Sequence, residues 1–69
     1  DMGYQYQYVR VEFGGGAFFG NQSAEHRKVI DQYAADGWRY VGWVPVTFTS
    51  HGGVESADLV FEKPAEQAE

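Results

Sequence analysis

The sequence predicts an α+β fold: a single β-α-β-β unit, a three-stranded and mainly antiparallel sheet in the order 1-3-2, with one helix packed on one face. Three observations predict it. Apolar residues recur with a strand period over residues 4–13, 38–48 and 57–63, and with a helical period over 23–36. Glycine-rich stretches separate these segments. Pro45 then selects the strand order. The 69 residues suffice for one domain, expected over 4–64. Residues 1–3 are expected to be a disordered N-terminus or cloning remnant, and 65–69 a disordered acidic tail.

Residues 4–13 form the first predicted strand. Tyr4, Tyr6 and Tyr8 alternate with Gln5 and Gln7, and then the apolar parity changes to Val9, Val11 and Phe13. Successive strand side chains point to opposite faces. Either a bulge near Tyr8 and Val9 restores one face, or both faces are covered. Residues 14–21 are too rich in glycine to hold regular structure and read as a loop. Phe18 and Phe19 stand out there, because paired aromatics in a loop normally tuck onto something.

Residues 23–36 read as a helix. Ser23 is placed as its N-cap, with Glu25 in the first turn where the helix dipole favours an acid. Val29, Ile30, Tyr33 and Ala34 form an apolar stripe, extended one turn back by His26. Gly37 is placed to be the left-handed C′ residue, with Trp38 at C″ positioned to pack on Tyr33.

Residues 38–48 are the second strand, 49–56 a hairpin loop, and 57–63 a third strand that Pro64 ends. In the third strand Ala57, Leu59 and Phe61 face one way and Val60 the other. Either strand two or strand three could lie in the middle of the sheet. Proline is confined to edges and bulges, so Pro45 puts strand two at an edge.

One helix covers one face of such a sheet. That face is expected to hold Trp38, Tyr40, Val44 and Val46 with Leu59 and Phe61. The other is expected to carry Val41, Trp43 and Val60, plus either the tyrosines or Val9 and Val11. Aromatic ladders on open sheets can stabilise by cross-strand pairing alone. A face this apolar more often marks an interaction site, so a second copy is expected to cover it.

Composition narrows the partners. Net charge is −5, and Arg10, Arg27, Lys28, Arg39 and Lys63 are scattered. With no basic stripe, no nucleic-acid partner is expected. No apolar run approaches the ~18 residues of a membrane span, so no membrane partner is expected. No basic segment leads into an apolar one at the start, so no signal peptide and a cytoplasmic location are expected. There is no cysteine to staple the domain, which leaves aromatic packing and oligomerisation.

Chemistry finds few candidates. A metal site from His26, His51 and a carboxylate would need the helix start to meet the hairpin tip, so neither metal nor cofactor is expected. Ser23 near His26 lacks an acid to orient the imidazole. The loop Gly-Gly-Gly-Ala-Phe-Phe-Gly lacks the lysine of a phosphate loop. Asp58 and Glu62 share a strand face and read as rim charges, opposite Arg10 or Arg39, rather than as an acid–base pair in a dry cleft. The protein is therefore expected not to be an enzyme.

One set of motifs spans nearly the whole chain. It runs from Tyr4 and Tyr6, with Val9 and Val11, through a glycine-rich turn to a helix ending Ala34-x-x-Gly37-Trp38. Tyr40, Val41, Val44 and Pro45 follow, and the chain closes on Phe61-Glu62-Lys63-Pro64. This resembles a family of small bacterial and phage proteins catalogued as a domain of unknown function. Trp43 and Tyr40 depart from its pattern, which has small or aliphatic residues at the first position and Leu or Phe at the second. The resemblance implies a β-α-β-β fold and supplies no catalytic residues.

Two functions fit. The first is a non-enzymatic homo-oligomeric module that binds protein, through Val41, Trp43, Val60, Phe18, Phe19, Tyr4 and Tyr6; its partner is a dimer or larger assembly of itself, or another protein. The second is a small-ligand binder with an aromatic pocket at the subunit interface.

Overall fold

The computed structural model describes residues 3–13 and 21–65, leaving aside the side chains of 21–25. Its elements are β1 (Tyr4–Glu12), α1 (Asn21–Ala35), β2 (Arg39–Phe48) and β3 (Val54–Pro64). The sheet order is β1-β3-β2, and β3 is antiparallel to both neighbours. The expected α+β class and strand order are what the structure has. Of the expected loop at 14–21, Asn21 belongs to α1 instead, and residues 14–20, with Phe18 and Phe19, lie outside the described residues, as do 1–2 and 66–69.

The helix C-terminus forms as its local sequence dictates. Gly37 adopts φ 91°, the left-handed conformation that glycine takes without a Cβ penalty. The Gly37 N–H donates to Ala34 O at 3.0 Å and the Trp38 N–H to Tyr33 O at 2.9 Å, the two bonds of a Schellman cap. Trp38 then packs edge-on against Tyr33, with ring centroids 6.3 Å apart. The N-terminal expectation is corrected: α1 begins at Asn21, so Ser23 lies inside the helix and is not its cap.

The hairpin is tighter than expected, with five residues between Phe48 and Val54. Gly52, at φ 89°, allows the reversal, and its N–H donates to Thr49 O at 3.0 Å. The Thr49 hydroxyl also accepts the Gly53 N–H at 3.0 Å. Closing the loop early lets Val54, Glu55 and Ser56 join β3, although Glu and Ser are weak strand formers.

β3 is covered on both edges, and it supplies most of the core. Ala57, Leu59 and Phe61 are buried there, joined only by Val11 of β1 among the described apolar residues. Val29, Ile30 and Tyr33 of α1 pack onto this cluster, and Tyr33 stacks on Phe61 at 4.6 Å. Ala34, expected in the apolar stripe, is exposed. The rest of the expected stripe, His26, Val29, Ile30 and Tyr33, is partly buried.

The two faces sort by register. β1 pairs with β3 without a break from Tyr4 opposite Pro64 to Glu12 opposite Ser56. No bulge occurs near Tyr8, so the parity change is real: Val9 and Val11 face the helix, and the three tyrosines face away.

β2 behaves differently. Its register with β3 shifts between Tyr40 and Gly42, between Pro45 and Thr47, and between Thr47 and Phe48. Tyr40 opposes Phe61, and after the first bulge Trp43 opposes Leu59 while Val44 opposes Asp58. Paired residues share a face. Trp43 is therefore on the helix face and Val44 on the open one, the reverse of the expectation. An extra residue inverts the alternation of everything that follows it.

Candidate interaction surface

The open face is built in cross-strand rows. Tyr6, Glu62 and Arg39 form one row, Tyr8, Val60 and Gly42 the next, and Arg10, Asp58 and Val44 the third. Ion pairs close the first and third rows. Arg39 Nη2 lies 2.6 Å from Glu62 Oε2, and Arg10 Nε lies 2.6 Å from Asp58 Oδ1. Both are the pairings that the strand charges suggested. Each is exposed on its arginine side, and matters more for what it leaves neutral than for stability.

The same row affects Tyr6. Partial burial on the sheet, then the charge of the Glu62 carboxylate and the hydrogen bond that the phenol donates to it, hold the Tyr6 hydroxyl above its ordinary range. The Arg10 guanidinium is likewise raised, first by its bond to Asp58 and then by that carboxylate's charge. Both groups keep their usual charge at neutral pH. The surface offers phenols and two satisfied ion pairs, with Val60 between them.

The predicted site residues do not form one patch. Tyr4 and Tyr6 lie on the open face of β1, where each is about half exposed, and Val60 lies at its centre. Val41 is the unpaired residue of the first bulge and is half exposed. Trp43 is also 50% exposed, but on the helix side. There its ring meets Phe13 edge-on at 6.4 Å, across the central strand.

Around Trp43 the helix leaves a hollow of about 210 Å³, lined by Phe13, His26, Tyr40, Trp43 and Leu59. A more polar hollow of about 420 Å³ lies among Gln5, Gln7, Gln32, Tyr33, Asp36, Trp38 and Lys63. Its one ammonium is engaged: Lys63 Nζ donates to Asp36 O at 3.0 Å and sits 4.7 Å from the centre of the Trp38 ring. That charge serves the helix C-terminus, whose carbonyls favour a cation.

Sequence reasoning put Trp43 and Val44 on each other's faces and missed the hollow beside Trp43. Two residues carried a signal for the misplaced pair. A glycine inside a strand often marks a bulge, and so does a proline; Gly42 and Pro45 flank Trp43 and Val44. His26 and His51 stay apart, one in the hollow and one in the hairpin loop. Among the described residues no group of three or more His, Cys, Asp or Glu side chains could hold a metal ion. No described helix is long and apolar enough to cross a membrane.

These features define a small α+β domain whose sheet, among the described residues, is covered by its helix on one side and open on the other. The chain belongs to the family described as Domain of unknown function (DUF4177), whose model matches residues 4–64. No curated protein and no solved structure matches it.

Proposed function

We propose that the protein is a non-enzymatic, homo-oligomeric protein–protein interaction module. One observation carries this reading. Only four apolar side chains are buried among the described residues, while nine large ones, from Tyr4 to Phe48, are 37–64% exposed. A domain of this size has little core to spare, and those without disulfides or metals are commonly completed by association. The exposed set is mostly tyrosine, tryptophan and valine. Tyrosine and tryptophan are the types enriched where proteins meet.

If assembly supplies part of the fold's stability, mass action links the two. The unfolding midpoint is expected to rise as protein concentration rises over a hundredfold range, followed by circular dichroism. A midpoint independent of concentration contradicts the reading.

The hollow beside Trp43 favours a second reading, a small-ligand binder. Its lining is aromatic with one imidazole, as ligand pockets often are. Its ~210 Å³ is below the usual ~300–1,000 Å³, so another subunit would have to complete it. A thermal-shift screen against metabolites and nucleotides separates the two, since only the second reading expects a ligand to raise the midpoint.

A further inference from the structure

The two edges of the sheet are built differently. β2 carries Pro45 and three register shifts, devices that keep a strand edge from templating further pairing. β1 has none of these: its nine residues contain no proline, run in unbroken register, and place no charge on the helix face. Among the described residues nothing pairs with its outer edge.

The backbone parity of β1 shows which groups lie at that edge. The Ala65 N–H donates to Gly3 O at 3.0 Å, and the Phe13 N–H donates to Glu55 O at 2.8 Å. Odd-numbered residues of β1 therefore turn their backbone groups toward β3. With the register unbroken, Tyr4, Tyr6, Tyr8, Arg10 and Glu12 turn theirs outward. The same parity explains Pro45. It opposes Ala57, whose groups are turned toward β1, so the position that lacks an N–H costs the ladder nothing.

We infer that the outer edge of β1 is the self-association surface, pairing antiparallel with β1 of a second copy about a two-fold axis at Tyr8. This rests on the reading of the chain as a homo-oligomer and names the surface that makes it one. Self-complementarity argues for this occupant and register. An antiparallel pair centred on Tyr8 brings outward-turned residues opposite one another along the whole strand. Tyr8 meets Tyr8 of the second copy, Tyr6 meets its Arg10, and Tyr4 meets its Glu12. Arg10 lies beside an aromatic ring, a favourable pairing, and like charges do not face each other. Parallel pairing without offset would set Arg10 beside Arg10 and Glu12 beside Glu12. The antiparallel union makes one continuous sheet, joins the two tyrosine ladders on a single face, and leaves both helices on the other.

The absence of cysteine makes the register testable. Directly opposed, hydrogen-bonded residues of an antiparallel pair have Cα atoms about 5.5 Å apart, within the disulfide range of about 4.4–6.8 Å. Position 4 would lie roughly 27 Å from its equivalent, eight strand steps away. Under mild oxidation Tyr8→Cys is expected to convert mostly to a disulfide dimer, and Tyr4→Cys to stay largely uncoupled. Tyr8→Pro removes an outward N–H and no bond to β3, so it is expected to keep the wild-type circular dichroism and run as a monomer. A wild type that is monomeric at every concentration overturns both this inference and the reading beneath it. An assembled wild type whose Tyr8→Cys couples no better than Tyr4→Cys overturns the edge alone, and so does a folded Tyr8→Pro that remains assembled. If Tyr8→Pro fails to fold, the cross-linking comparison decides.

Discussion

Replacing Phe61 with alanine is expected to remove about 3–5 kcal/mol of stability, the usual range for emptying a buried aromatic site. Phe61 is fully buried at the middle of the central strand. Its ring stacks on Tyr33 of α1 at 4.6 Å and meets Tyr40 of β2 edge-on at 5.8 Å, so it joins three elements at one point. Removing it leaves a void bounded by the helix and β2, whose backbones cannot both close in. A domain of this length has a total stability of about 3–10 kcal/mol. The variant is therefore expected to be largely unfolded at room temperature, as a urea titration followed by tryptophan fluorescence would show. A loss below about 1 kcal/mol would mean that Phe61 is not where helix and sheet meet.

The second large effect is a contrast between neighbours. Leu59→Ala is expected to cost about 2–5 kcal/mol, while Val60→Ala costs less than about 1 kcal/mol. Leu59 is buried between Val9 and Trp43 on the helix face. Val60 is half-buried on the open face between Tyr8 and Gly42, where truncation leaves no closed cavity. The same denaturation measurement checks both. Equal losses would contradict the assignment of the two faces, because an edge-to-edge assembly leaves the Val60 face open.

These two residues also show what was legible in the sequence. The alternation of Ala57, Leu59 and Phe61 against Val60 holds in the structure, because a central strand paired on both sides keeps its period of two. The cap at Gly37 and the contact between Tyr33 and Trp38 were legible because both are local, fixed by backbone conformation over six residues. Pro45 revealed the edge through a missing donor. Trp43 and Val44 were assigned to the wrong faces because period-two reasoning assumes an unbroken register. Gly42 and Pro45 signal that it breaks, but not how many residues each bulge inserts. The hydrogen-bond parity that singles out the β1 edge belongs to the pairing of distant segments, and no local pattern in the strand contains it.

The central claim is that this chain completes its structure by meeting itself. Light scattering behind a sizing column, at several loading concentrations, tests it most directly. The account predicts a mass of at least twice the 7.8 kDa of one chain, approached from below as the loading concentration rises. A mass of one chain at every concentration would contradict it, and would leave the tyrosine ladder and the β1 edge free for a different protein.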